Sequence, residues 1–510
     1  SPRLARVTTG SIAGLDARRI TVEVDIRPGL PAFVIVGLGD AAVREARERV
    51  RAALQNSGYE FPARRIVANL APAHLRKGGS GFDLAIACGV LAASGQVPMS
   101  ALERRAVFGE LSLTGELRGC RGTLAVAQAA SAAGLDGIVV PRSRAREAAL
   151  VDGLAVAGLS SLREAAEVLV GADAPPLPPP AAPAEPDEGG APPDLADVRG
   201  HAVPIEVLRI AAAGGHNLLL SGSPGTGKTM LARRLPSILP PMTRAEAIEV
   251  TRIQSLAGAR RDGALAQQRP FRAPHHTISP SGLVGGGAPP MPGEASLAHH
   301  GVLFLDELSE FARSALEALR QPLEDGHATI VRGQHTVVFP TRFMLVAATN
   351  PCPCGFASEP SRCTCSDADL QRHARRLSGP LLDRIDLVVS VERPSAAALA
   401  APGLATSAAV RADVEAARKR QVARLAGTRA ACNAEMDGGL VRRLARPDAD
   451  GAAALSAAYA RDQISARGHD RILKVARTIA DLAGDDEVRG EHVRQALALR
   501  GHDEPARAAA

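Results

Sequence analysis

The chain has 510 residues, 46% of them hydrophobic, and a formal net charge of +6: material for about three domains, and a mild basic excess that suits a polyanionic partner without proving one. Aromatic residues make up 2% and tryptophan is absent, which excludes a single-strand binder built on base-stacking platforms and leaves electrostatics as the route to nucleic acid. No uncharged apolar run reaches membrane-spanning length, and the opening SPRLARVTTG lacks a signal peptide's apolar core, so the expectation is a cytoplasmic protein with no membrane partner.

In chain order, short strands are expected over 20–26 (ITVEVDI) and 33–37 (FVIVG), each bounded by Gly or Pro. A helix over 41–56 follows, with Val43, Ala46, Val50 and Leu54 on its apolar side and Arg44, Arg47 and Arg51 sharing another face. That arginine face reads either as solvated surface or as a nucleic-acid contact. Lysine occurs only at 77, 228, 419 and 474, so positive charge sits on arginine, which favours bidentate phosphate contacts, although a GC-rich genome produces the same bias.

A buried strand over 66–70 (IVANL) leads into Arg76, Lys77, Gly78, Gly79, Ser80, Gly81, Phe82, Asp83 and the helix DLAIACGVLAA. With LTGELRG at 113–119 and a closing strand GIVVP at 137–141, this layout resembles the proteolytic domain of Lon-type proteases. Those proteases activate a serine with a lysine base. Ser80 falls near the nucleophile's position, but residues 117–130, where the lysine belongs, contain none. The resemblance therefore implies a Lon-like α+β domain over 1–170 without peptidase activity, an interaction or DNA-guiding module.

Residues 171–193 hold nine prolines in 23 positions and read as an extended, semi-rigid tether. Beyond it, a helix over 202–213 and an apolar strand over 218–220 run into Gly222, Ser223, Pro224, Gly225, Thr226, Gly227, Lys228 and Thr229, with a helix after them. This is a phosphate-binding loop in its proper strand-to-helix context. Its glycines let backbone N–H groups close around the phosphates of ATP, Lys228 reaches the β- and γ-phosphates, and the Thr229 hydroxyl holds Mg²⁺. A plain glycine-rich turn has no use for the lysine.

The strand VLFL at 302–305 ends in Asp306 and Glu307; Asp306 holds Mg²⁺ through water and Glu307 polarises the attacking water. More chain separates Lys228 from Asp306 than a minimal fold requires. The extra segment includes PFRAPHHT (270–277) and a loop over 278–293 too rich in Gly and Pro for regular structure. His275, His276, His299 and His300 suggest a metal site, but no carboxylate or cysteine spacing supports one. A helix over 311–323 is followed by two alternating strands over 327–340, turning at Arg332, Gly333 and Gln334, and a strand over 343–348. Asn350 after it is placed to position the hydrolytic water. Arg384 in GPLLDRIDL is placed to reach a neighbouring subunit's γ-phosphate, or else pairs with Asp383 or Asp386.

GHNLLLSGSPGTGKTMLARRLPSILP, PFRAPHHT, GEASLAHHGVLFLDELSEF, LRQPLEDG, AATNPCPCG and SGPLLDRIDL together resemble the magnesium-chelatase-like AAA+ ATPases of the ComM/YifB type. The resemblance covers essentially the whole chain and implies a central AAA+ core over 194–393 and a helical lid over 394–510. It implies a homohexameric ring, with the 278–293 loop and the 327–340 hairpin facing the pore, that migrates branched DNA intermediates during uptake and integration of foreign DNA. It also implies an arginine of the lid touching nucleotide, with Arg477 first and Arg471 second, against a solvated basic helix face. The lid itself reads as a helical bundle punctuated by Gly427, Pro447 and Gly468.

Cys352, Cys354, Cys363 and Cys365 offer enough sulfur for a tetrahedral Zn²⁺ site, with idle thiols or redox regulation as alternatives; Cys88, Cys120 and Cys432 read as small packed hydrophobes. Three function classes compete. A DNA-translocating ATPase leads, followed by a chelatase-like remodeller of a protein or tetrapyrrole complex. An ATP-dependent protease is last, because the lysine base is missing.

Overall fold

Alternating and continuous apolar patterns sort the strands into two large sheets. The computed structural model describes residues 3–37, 39–73, 75, 77–179, 193–259, 264–332, 335–357, 361–377, 381–461 and 464–500. The first nine strands are β1 (Arg3–Ala13), β2 (Asp16–Arg27), β3 (Ala32–Val36), β4 (Arg65–Ala71), β5 (Arg105–Val107), β6 (Glu110–Leu111), β7 (Leu117–Arg118), β8 (Gly137–Pro141) and β9 (Ala155–Leu159). Seven of them form a mixed sheet in the order β3-β4-β2-β1-β5-β8-β9, antiparallel on both sides of β2 and parallel elsewhere. Along β2 the side chains of Ile20, Val22, Val24 and Ile26 are buried in alternation, the period-two signature of a sheet with one face on the core. The ladder is longer than expected from sequence because β1, not anticipated there, pairs with β2 from Arg3↔Ile26 to Ala13↔Asp16.

Helix Ala41–Asn56 forms over the expected span, capped by the Asp40 carboxylate, which accepts the Val43 N–H. Its four predicted apolar positions are buried, and Arg44, Arg47 and Arg51 are exposed. Helix Asp83–Ser94 is buried nearly all round and packs on β1 and β2, which is why its sequence is continuously apolar. Most of the proline-rich tether, residues 180–192, lies outside the described residues, as do Gly333 and Gln334 at the hairpin turn.

The other nine strands are β10 (Leu218–Ser221), β11 (Phe271–Arg272), β12 (Gly285–Gly286), β13 (Met291–Pro292), β14 (Val302–Leu305), β15 (His327–Arg332), β16 (His335–Pro340), β17 (Met344–Thr349) and β18 (Leu387–Ser390). Five form an all-parallel sheet in the order β11-β14-β17-β10-β18. Because every strand points the same way, the segments that leave β10, β14 and β17 emerge together at one edge. The hairpin β15–β16 forms over the expected span, with His327 opposite Pro340, and Arg332 is paired with His335 inside the ladder rather than standing in the turn.

Two expectations are corrected here. Residues 278–293 do contain regular structure. Helix Pro280–Val284 is capped by Ser279, and β12 pairs with β13; a Cβ on Gly293 would fall 2.4 Å from the Gly285 nitrogen, so glycine is what allows so tight a ladder. The helix expected over 311–323 is instead two, Arg313–Ala318 and Arg320–Asp325, because Pro322 has no N–H to bond the Ala318 carbonyl.

Helices Ser407–Leu425, Gly438–Leu444, Ala449–Ala460, Ala466–Ala483 and Gly490–Leu499 complete the chain. Gly468 does not punctuate them: it lies inside the fourth, where its N–H meets the Ser465 cap. One apolar core runs from Leu195 to Ala496, joining the parallel sheet to these helices. The two sheets meet through helix Arg244–Ala257, where Arg252 donates to the Leu15 carbonyl and Arg244 pairs with Asp152. Leu256, Ile330 and Phe339 pack with Ile12, Leu15 and Val337, seating the hairpin on the β1–β2 turn. No helix among the described residues is long and apolar enough to cross a membrane.

Candidate nucleotide site

The edge where the strands of the parallel sheet end gathers three of the expected segments. β10 delivers residues 222–229. Gly227, at φ +97°, adopts a backbone conformation that side-chain-bearing residues rarely adopt, and a Cβ on Gly222 would fall 2.3 Å from the Val391 carbonyl oxygen. The Thr226 hydroxyl ties the loop by donating to the Ser223 carbonyl at 2.9 Å. Lys228 opens the helix Lys228–Ile238, and its ammonium donates to the carbonyls of Gly222 (2.6 Å) and Ser223 (2.9 Å) and to Asn350 Oδ1 (3.1 Å). Burial lowers its pKa, against the opposing pull of Asp306 and Glu307. The ammonium is thus held by exchangeable neutral acceptors, ready for an anion.

β14 delivers the two carboxylates. Thr229 Oγ1 donates to Asp306 Oδ2 at 2.7 Å, so a hydroxyl and a carboxylate converge, the hard oxygen donors that Mg²⁺ prefers. Glu307 follows at φ 53°, a left-handed backbone that costs a non-glycine residue on the order of 1–3 kcal/mol and turns its carboxylate outward to solvent. His276 Nδ1 stands 3.8 Å from that carboxylate. β17 delivers Asn350, which Lys228 meets directly. Lys228, Thr229, Asp306, Glu307 and Asn350 therefore share one site.

Arg384 and Arg477 are elsewhere. β10 and β18 are parallel, with Leu218 beside Leu387 and Ser221 beside Ser390. Arg384 precedes β18, so it stands at the opposite edge of the sheet, about 13 Å away along the strands. Its guanidinium pairs with Glu324 rather than with Asp383 or Asp386. A cleft of about 930 Å³ opens at that edge, lined by Arg384, Arg471, Lys474, Arg269, Arg418 and Arg429. Arg477 is buried in the helical region, donating to the carbonyls of Asp485 and Asp486 and pairing with Asp481 at 3.1 Å. The structure does not bring it to the phosphate loop.

The four clustered cysteines come together. Sγ–Sγ separations are 3.3 Å (352–354), 4.0 Å (352–363) and 3.6 Å (354–363), and all four sulfurs lie within 4.8 Å of one another. None of them is in a disulfide, nor are the buried Cys88, Cys120 and Cys432. Backbone N–H groups of Thr364 and Phe356 pull the Cys354 thiol down to about 6.

Sequence reasoning missed some partners. Glu249 supplies a carboxylate to His299 and His300, each 2.8 Å from its Oε2. His299 Nδ1 accepts the Arg342 N–H, so its Nε2 carries the proton and donates to Glu249; this histidine is a hydrogen-bond donor there, not a metal ligand. The only signal in the sequence was the Glu246–Glu249 spacing along one helix face. His373 Nε2 lies 2.9 Å from the Asn350 carbonyl oxygen and so carries the proton, donating to it. Nothing in the sequence pointed to that contact.

Three family descriptions match along the chain: "Subunit ChlI of Mg-chelatase" over 22–144, "Magnesium chelatase, subunit ChlI" over 194–399, and "Magnesium chelatase, subunit ChlI C-terminal" over 405–500. The uncharacterized protein YifB of Salmonella typhimurium is 44% identical, over 98% of this chain and 97% of its own. Competence protein ComM of Haemophilus influenzae is 43% identical, over 98% and 97%. An uncharacterized protein of Mycobacterium tuberculosis is 43% identical, over 98% of both. With likeness of this extent and a complete phosphate-loop site, the chain belongs to the magnesium-chelatase-like AAA+ ATPase family of the ComM/YifB type.

Proposed function

We propose that the chain is an ATP-driven DNA motor that assembles as a homohexameric ring and migrates branched recombination intermediates. The observation that carries this reading is a division of labour across one sheet. Lys228, Thr229, Asp306, Glu307 and Asn350 converge at one edge, and Arg384 stands at the other. An arginine that cannot serve its own phosphate loop serves a neighbour's when subunits pack head to tail. Arg471 lines the same cleft as Arg384 and is better placed than Arg477 to meet that neighbour's nucleotide.

In this mechanism Lys228 exchanges its carbonyl partners for phosphate oxygens, and Thr229 with Asp306 would hold Mg²⁺, which would neutralise phosphate charge. Glu307 takes a proton from the attacking water, Asn350 orients that water, and the neighbour's Arg384 stabilises charge developing on the γ-phosphate. The 278–293 insert and the 327–340 hairpin then move along the DNA backbone. The name of the Haemophilus relative, competence protein, supports a role in natural transformation. Zinc on Cys352, Cys354, Cys363 and Cys365 is the structural metal of this reading.

We read the N-terminal region as a Lon-like domain without peptidase activity. Ser80 donates to the Glu110 carboxylate and Lys77 to the Pro72 carbonyl, so neither activates the other. The test is steady-state ATP hydrolysis alone and with single-stranded, duplex and four-way-junction DNA at two salt concentrations. Stimulation that weakens with salt is expected of a motor tracking phosphates. A rate indifferent to every DNA, in active assembled protein, would overturn the motor and favour the chelatase-like remodeller that the family descriptions suggest.

A further inference from the structure

The geometry points to a Zn²⁺ ion on Cys352, Cys354, Cys363 and Cys365 that braces the ATP site, so that metal occupancy sets the shape of the phosphate loop. Zinc at about 2.3 Å from each of four thiolates requires tetrahedron edges of about 3.8 Å. The sulfur separations of 3.3, 3.6 and 4.0 Å bracket that value and are far too long for a disulfide bond. Backbone N–H groups of Phe356 and Thr364 reach the Cys354 sulfur, the kind of outer contact that fixes a ligand's orientation.

Three contacts tie this cluster to the nucleotide site. Gly355, between the two cysteine pairs, lies against Pro224 of the phosphate loop; a Cβ there would fall 2.5 Å from Pro224 Cδ. Cys352, fully buried, is two residues beyond Asn350, whose side chain accepts from Lys228. Helix Asp367–Leu377 begins two residues beyond Cys365, returns His373 to the Asn350 carbonyl at 2.9 Å, and packs on the turn Leu308–Glu310 just after Glu307. Both ends of the cysteine loop are thus anchored on residues that surround the phosphates. Closing the loop on a metal holds Pro224 and Asn350 in place.

The metal follows from the sulfurs alone, whereas its consequence rests on the ATPase reading. The test uses the full-length chain purified under reducing conditions. Zinc is counted per chain, amide hydrogen exchange is followed over 222–229 without nucleotide, and a fluorescent ATP analogue is titrated. Wild type should carry one zinc. The double variant Cys363→Ser, Cys365→Ser should lose it, exchange faster over 222–229 and bind the analogue about 10- to 100-fold more weakly. Wild type stripped of zinc by a chelator should show the same faster exchange and recover when zinc is returned, which decides the matter if the cysteine variant fails to fold. Wild type without zinc overturns the metal; zinc in wild type, with exchange over 222–229 unchanged once it is lost, overturns the brace. If zinc and exchange behave as expected while Lys228→Ala binds the analogue normally, the ATPase reading fails and the brace stands.

Discussion

Two glycine-rich turns in this chain carry a lysine and run into a buried helix, one over 77–83 and one over 222–229, and they dispose of their charge in opposite ways. In the first, the fold supplies its own anions. The Gly79 N–H donates to Asp40 Oδ2 at 3.0 Å, and Asp83 sits in the first turn of the helix, where the dipole favours it. Arg49 meets Asp83 at 2.7 and 3.0 Å, and Ser80 is taken by Glu110. Lys77 is fully buried on the Pro72 carbonyl, and burial lowers its pKa. In the second, the helix has no capping side chain and no acid in its first turn, Pro224 and Gly225 face solvent, and Lys228 rests on neutral acceptors. A phosphate would find the first turn neutralised and the second in need of charge. Similar local composition therefore makes a packing device in one place and an anion site in the other.

The comparison is sharpened first by the residues that serve only the second turn. Arg384→Ala should lower ATP turnover about 10³- to 10⁵-fold while sparing nucleotide binding, measured as steady-state hydrolysis beside an equilibrium titration. Equal loss of binding would mean that the arginine only holds Glu324 and the local fold. Glu307→Gln should slow hydrolysis about 10²- to 10⁴-fold and trap ATP in an assembled ring; an unaffected rate would sink the assignment of the base. Lys228→Ala should cost about 10²- to 10³-fold, whereas Lys77→Met should leave turnover unchanged. If both lysine variants lose activity alike, the distinction between the turns collapses.

Stability separates the turns in the other direction. Arg49→Ala leaves the Asp83 carboxylate buried without its partner and should destabilise the N-terminal sheet by about 3–5 kcal/mol in a thermal melt, with ATP binding intact. The smallest effect concerns Glu249. Its carboxyl is lowered from 4.5 to about 2, chiefly by the hydrogen bond from His299. A depressed carboxyl contributes stability above the unfolded value that is lost as pH falls toward the folded one. Melting temperatures of wild type and Glu249→Gln should therefore differ above pH 4.5 and converge toward pH 2. Glu249 is about half exposed, so the difference should stay under about 1 kcal/mol and shrink with salt.

Much of the nucleotide site is legible in the sequence, because its chemistry is local. A strand, a glycine turn, a lysine and a helix lie consecutively in 218–238, and an apolar run ending in two carboxylates is equally self-contained. The same holds for helix Ala41–Asn56, whose buried and exposed faces follow from spacing alone. β1 escapes notice there because Thr8, Thr9, Gly10 and Ser11 interrupt its apolar alternation, and only the pairing with β2 reveals it as a strand. The short ladder at 285–292 escapes because glycine and proline normally signal irregular chain, and only the close approach of Gly293 to Gly285 makes them useful in that place.

By itself the sequence determined which residue types stand next to one another along the chain: the phosphate loop, Asp306 with Glu307, the paired cysteines, and the absence of a lysine base after Ser80. Only the tertiary structure decided which of those neighbours meet across distance. Parallel strand direction put Lys228 on Asn350 and sent Arg384 to the far edge; helix packing buried Arg477 on its own carbonyls and brought Glu249 to His299 and His300. The physical reason is range. Turn chemistry and apolar periodicity act within a few residues, whereas ion pairs, cleft walls and the seating of Gly355 on Pro224 depend on how separate elements bury their apolar faces together.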